Sequence, residues 1–137
     1  MTVLLVDLAN VVGSRPDGWW RDRAGAASRL LARLATLPGR RLTGPDGGEL
    51  ACTAVVAVVE GKARDVPAPE GVRVVRATGS GDDVLAGCAA QRAADGTPWL
   101  VVTADRGLRA RLPVGAQVTG PGWLLARLDE VDGPPSA

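Results

Sequence analysis

Aspartates punctuate this chain at three places. Asp7 closes the run Val3-Leu4-Leu5-Val6, the pair Asp82-Asp83 follows the glycine-flexed segment Ala77-Thr78-Gly79-Ser80-Gly81, and Asp105 follows Trp99-Leu100-Val101-Val102-Thr103-Ala104. Singly, each has an ordinary reading as a turn former or a helix cap. Gathered in space they would repel one another and resist ionising together unless a cation neutralised them. Hard oxygen donors without His or Cys select Mg²⁺ or Mn²⁺ over zinc. A divalent ion held there can generate hydroxide and neutralise charge at a phosphorus centre, so the chemistry these residues point to is hydrolysis of a phosphate ester or anhydride. Asp7, Asp82, Asp83 and Asp105 are therefore the candidate catalytic and metal-ligating residues, with Asn10, Ser80 and Thr103 as supporting polar neighbours.

Composition narrows the alternatives. The chain contains no His, which excludes every Ser-His, Cys-His and His-metal mechanism and leaves carboxylate, Arg, Ser/Thr, Cys and the lone Lys62. Cys52 and Cys88 lie in apolar contexts without CxxC spacing and read as buried free thiols. The N-terminal apolar run is short and stops at an aspartate, which fits neither a signal peptide nor a membrane span, so a cytoplasmic location and no membrane partner are expected. At 137 residues the chain suits one domain, over residues 1–128, with residues 129–137 as a disordered tail. The formal charge of +1 exerts no global pull, but seven arginines fall between Arg15 and Arg41, against an acidic stretch Asp129-Glu130-Val131-Asp132.

The elements that would position the aspartates can be read from periodicity. Val3–Val6, Cys52–Val59, Val72–Val75, Trp99–Thr103 and Ala116–Val118 read as strands, most of them apolar enough to be covered on both faces. The expectation is an α/β fold with a mostly parallel central sheet of about five strands between helical layers. Function in such sheets collects at the carboxyl ends of the strands, where Asp7 and Asp105 would stand side by side. Glu60 ends the second strand and joins them if that strand neighbours the first. Leu30, Leu31, Leu34 and Leu37 recur at helical spacing, with Arg29 and Arg33 on a different face. Asp82 reads as the cap of an Ala-rich helix, with Asp83 in its first turn. Pro67 and Pro69 argue against a helix between the second and third strands, and residues 42–51 read as a loop or hairpin tip. Trp19 and Trp20 cannot both point inward from a helix start; packing and the stacking of a nucleobase are both open to them.

The motifs Val6-Asp7-Leu8-Ala9-Asn10-Val11, Gly81-Asp82-Asp83 and Val101-Val102-Thr103-Ala104-Asp105-Arg106-Gly107-Leu108 resemble, in order, those of the NYN domain, a branch of the PIN-like metal-dependent nucleases. The resemblance implies a three-layer α/β/α PIN-like fold, the four aspartates as ligands of Mg²⁺ or Mn²⁺, Asn10 as a site-orienting residue, and single-stranded RNA as the substrate. By analogy with small PIN-like domains it also implies a homodimer. Relatives often carry a further acidic residue one helical turn after the last aspartate; Arg109 stands there in this chain, which either loosens the metal or turns that position toward phosphate. Arg15, Trp19, Trp20, Arg21, Arg106 and Arg109 are the candidate substrate-binding residues.

Other readings compete. The loop from Asn10 to Trp20 resembles that of small proteins labelled nucleotide pyrophosphohydrolases, which makes a nucleotide the alternative substrate of the same acidic site. Thr78-Gly79-Ser80-Gly81-Asp82-Asp83 resembles the anion hole of ribokinase-type enzymes, but those need a chain about twice as long, and the motif leaves Asp7 and Asp105 unexplained. A domain that binds RNA or protein without cleaving completes the set.

Overall fold

The apolar run Val3–Val6 is covered on both faces, as its pattern predicts for an inner strand of a parallel sheet. The computed structural model describes residues 1–15, 18–96 and 98–132. In chain order it contains β1 (Thr2–Asp7), α1 (Leu8–Val12), a 3-10 turn (Trp19–Arg21), α2 (Arg23–Leu34), β2 (Arg41–Thr43), β3 (Glu49–Val59), a second 3-10 turn (Gly61–Ala63) and β4 (Val72–Arg76). These are followed by α3 (Gly81–Asp95), β5 (Trp99–Val102), α4 (Arg106–Ala110), β6 (Gln117–Thr119) and α5 (Pro121–Asp132).

Five strands run parallel in the order β4-β3-β1-β5-β6, so Leu4 of β1 lies opposite Val55 of β3 on one side and Leu100 of β5 on the other. The expected strands are all present. A sixth, β2, pairs antiparallel with the start of β3, Arg41 opposite Ala51, and makes the sheet mixed. Three residues are too few to show a period, which is why β2 reads from sequence only as part of a hairpin. From β1 the chain moves outward through β3 to β4, then returns across the sheet through α3 to β5 and β6. The direction of winding therefore reverses between β1 and β5, and the crevice beyond their carboxyl ends is the expected site position in a doubly wound sheet.

Alternation along the strands builds two cores. Leu4, Val6, Ala57, Leu100 and Val102 face Leu31 and Leu34 of α2 and Leu124 and Leu128 of α5. Val3, Leu5, Val56, Val58 and Val101 face Leu85 and Ala89 of α3 and Leu108 of α4. The result is an α/β/α sandwich in which β1 is anchored from both sides. Burying an aliphatic side chain of this size is worth about 1.5–3 kcal/mol, so a whole strand of them makes a rigid platform for the loops beyond it.

Three local boundaries differ from the sequence expectation. Helix α3 starts at Gly81, so its cap is Ser80, whose Oγ accepts from the Asp82 amide at 3.2 Å; Asp82 and Asp83 both lie in the first turn, and Asp82 is released from capping. Helix α5 continues through the expected tail as far as Asp132, and Asp129 is tied to Arg15 and Arg33 by ion pairs at 3.4 and 2.8 Å. The remaining tail, residues 133–137, lies outside the described residues. Helix α2 stops at Leu34, and Leu37 reaches the core from the turn that follows. The connection from β3 to β4 contains no α-helix, only the turn Gly61–Ala63, in keeping with Pro67 and Pro69.

Candidate active site

Asp7 is the last residue of β1 and the cap of α1. Its half-buried carboxylate accepts from the Asn10 amide at 3.4 Å and from the Thr103 hydroxyl at 2.9 Å. Thr103 follows β5, is completely buried (0% exposed), and its hydroxyl also accepts from the Asp105 amide at 3.2 Å. One hydroxyl thus donates to one aspartate while fixing the backbone of another. The Asn10 side-chain oxygen accepts from the Ala104 amide at 2.8 Å, a second bridge between the loops after β1 and β5. Asp105 caps α4 by accepting from the Leu108 amide at 2.9 Å.

Glu60 joins from β3, the strand adjacent to β1. Its carboxylate accepts from the Gly81 amide, the first residue of α3. A Cβ at Gly81 would stand 2.8 Å from that carboxylate oxygen, so glycine is what lets the helix start lie against Glu60. Burial pushes the Asp7 carboxyl above its ordinary range; Thr103 and Asn10 oppose the shift, and the charges of Asp82 and Glu60 add to it. The Asp82 carboxyl is likewise raised, chiefly by burial, then by Asp105 and Glu60, with Arg111 opposing. Asp7, Glu60, Asp82 and Asp105 therefore share one electrostatic neighbourhood. Asp83, one residue on, points elsewhere: it pairs with Arg111 at 2.7 Å and is 75% exposed.

Among the described residues no three acidic side chains stand close enough, as oriented, to grip one ion. The donor set is nevertheless all hard oxygen and under mutual repulsion, which is the chemistry a divalent cation relieves. The thiols contribute nothing to the site. Cys52 is buried at the start of the run that pairs with β1, and burial pushes it up to about 11, so it is no nucleophile at neutral pH.

The candidate substrate-binding residues separate into groups. Arg109 donates from two guanidinium nitrogens, at 3.2 and 2.8 Å, to the Thr103 carbonyl, and so braces the loop that carries the aspartates. Arg106 is exposed at the start of α4, and Arg21 is exposed in the first 3-10 turn. Arg15 donates to Asp129 at 3.4 Å. Trp19 is half-buried and meets Trp20, which is 51% exposed, edge to face at 5.9 Å. Sequence reasoning passed over Arg23, whose guanidinium lies 5.4 Å from the Trp19 ring centre, and the partnership of Arg111 with Asp83. The four-residue separation of Trp19 and Arg23 was the available signal for the first.

The chain is similar in fold to Rae1 (YacP) from Bacillus subtilis. Superposition on that crystal structure gives a TM-score of 0.70 at 19% identity, covering 96% of this chain and 76% of the other. The W164L mutant of the same protein gives 0.68 at 20% identity, with 96% and 77% covered. No protein-family model matches the sequence, and no curated protein matches it. At this identity the likeness establishes the three-layer fold.

Proposed function

We propose that the protein is a metal-dependent hydrolase of phosphodiester bonds in single-stranded RNA. The observation that carries the reading is the hydrogen-bonded link from Asp7 through Thr103 to Asp105, set at the winding reversal of the sheet, with Asp82 and Glu60 raising the local negative charge. Support also comes from the motifs resembling those of NYN domains and from the architecture shared with Rae1.

Asp7, Asp82 and Asp105, with Glu60 beside them, would hold Mg²⁺ or Mn²⁺. Such an ion supplies charge neutralisation at phosphorus and lowers the pKa of water. The chain's own residues prepare the place. Thr103 and the Asn10 amide fix the Asp7 carboxylate, the Asn10 side chain holds the two loops together, and Arg109 locks the carbonyl of Thr103. Asn10, Thr103 and Arg109 are thus positioning residues. The ribokinase-type reading is disfavoured because the Gly81 amide, which an anion hole would present to phosphate, is engaged by Glu60.

Labelled single-stranded RNA and, separately, nucleoside triphosphates are incubated with Mn²⁺ or Mg²⁺ and with EDTA. RNA cleavage that requires metal and is lost in Asp7→Asn is the expected result. Pyrophosphate release without RNA cleavage would move the assignment to a nucleotide hydrolase, and activity indifferent to EDTA would overturn both.

A further inference from the structure

Against Glu60 lies a cavity of about 370 Å³ whose walls come from α1, the Trp19–Arg21 turn, α2, the end of β3 and the Gly61–Ala63 turn. Its interior is apolar, made by Leu8, Val12, Ala27 and Val59, with Trp19 as an aromatic wall. Polar groups stand at its rim: the Glu60 carboxylate, Lys62 and the Arg23 guanidinium over the Trp19 ring. Glu60 belongs to both places, since it lines this cavity and raises the carboxyls of Asp7 and Asp82 in the neighbouring site.

We infer that this cavity is a nucleobase subsite, in which the base of one nucleotide lies against Trp19 and donates to Glu60 while its phosphate reaches the aspartates. The inference rests on the proposed phosphodiester chemistry for the identity of the attached group. The volume is within the range of small-molecule sites, and an apolar slot with a few convergent polar groups is their usual make-up. A π-face on the wall suits any base, because stacking does not discriminate strongly. Discrimination would come from Glu60. Its Oε2 accepts from Gly81 and keeps a second lone pair beside the free Oε1, and a carboxylate accepts only, so the ligand must bring N–H groups. Guanine, with adjacent ring and exocyclic N–H donors, matches best, and adenine offers one amine. The same base can arrive as an RNA residue or as a free nucleotide.

The test is calorimetric titration in EDTA, without metal, of the full chain with GMP, AMP, UMP and ribose 5-phosphate, and competition of GMP by a short unpaired RNA with and without guanosine. Binding is expected in the order GMP, AMP, UMP, with ribose 5-phosphate not binding measurably. Trp19→Leu should weaken GMP by about tenfold through lost stacking. Because Trp19 also packs on Trp20, a second variant is needed. A Cβ at Gly79, which lines the cavity, meets nothing within 4 Å, so Gly79→Leu should fill the slot without disturbing the fold and weaken GMP similarly. Glu60→Gln should erase the preference for GMP over AMP. Displacement by the guanosine-containing RNA or by free nucleotide alone supports the subsite and tells which source fits. Equal binding of ribose 5-phosphate, or parental affinity in both Trp19→Leu and Gly79→Leu, would overturn it. Cleavage of RNA without base binding defeats this inference and leaves the proposed function standing; base binding without cleavage does the reverse.

Discussion

At the scale of single residues, the side chain that organises the site is Thr103 rather than any aspartate. Its hydroxyl is the buried polar group between Asp7 and the Asp105 amide, a link that its sequence context, which marks it only as a supporting neighbour of Asp105, does not show. Thr103→Val keeps the shape and removes both bonds, so it should lower activity and Mn²⁺ affinity by about 10–100-fold, with Thr103→Ser restoring most of each. Parental Mn²⁺ binding by calorimetry in the valine variant would refute the positioning role. Asp7 carries a prediction of the opposite kind. Because burial raises its carboxyl in the folded state, its favourable contribution is complete below the ordinary carboxylate range and is lost as pH rises through the raised value. Without metal, Asp7→Asn should therefore melt higher than the parent at pH 7, and the gap should close toward pH 3. A variant that melts lower at pH 7, with the deficit disappearing in acid, would show that Asp7 is stabilised by its hydrogen bonds more than it is penalised by burial. The acidic positions at the ends of β1 and β5 were readable from apolar runs that stop at carboxylates. The tether of Glu60 to Gly81 was not, since it depends on β3 lying next to β1.

At the scale of elements, the start of α3 decides which carboxylates face the site. With Ser80 as the cap, Asp82 reaches the cluster and Asp83 leans out to Arg111; a start two residues later would make Asp82 itself the cap. The sequence points to Asp82 as the cap, but Ser and Asp are comparable caps, so propensity does not separate the two starts. The contact of Gly81 with Glu60, which comes from another strand, selects the first. Gly81→Ala tests this junction. The Cβ would press on the Glu60 side chain, which is flexible and can yield, so stability should change by less than about 1 kcal/mol, near the difference between Gly and Ala in a helix. Glu60 would lose its place, and RNA cleavage should fall while the denaturation midpoint hardly moves. Full activity in Gly81→Ala would mean that the Glu60 tether is irrelevant to the site. At the other end of α3, Gly96 adopts the left-handed conformation (φ 70°) that glycine supplies at helix ends.

For the whole molecule, the uneven charge seen along the chain closes on itself. The basic segment from Arg15 to Arg41 and the acidic stretch after Leu128 meet because α5 packs beside α2, placing Asp129 against Arg15 and Arg33, while Arg41 pairs with Glu49 and Arg40 donates to the Thr36 carbonyl. Composition along the chain showed two opposite patches; only the return path of α5 shows that they are partners, and a helical period says which residues face inward without saying which neighbour they meet. For the proposed RNA binding the consequence is a small electrostatic footprint. If exposed Arg21 and Arg106 supply the phosphate contacts, the slope of log affinity against log salt should be shallow, about −1.4, at roughly −0.7 per contact for a single strand. Asp129→Asn releases Arg15 from its ion pair and should steepen that slope by about 0.7 if Arg15 then reaches a phosphate. Filter binding of a metal-free complex across a salt series measures both. A steep slope in the parent would instead mean that RNA displaces Asp129 and recruits the paired arginines on binding, and an identical slope in Asp129→Asn would place Arg15 outside the path of the strand altogether.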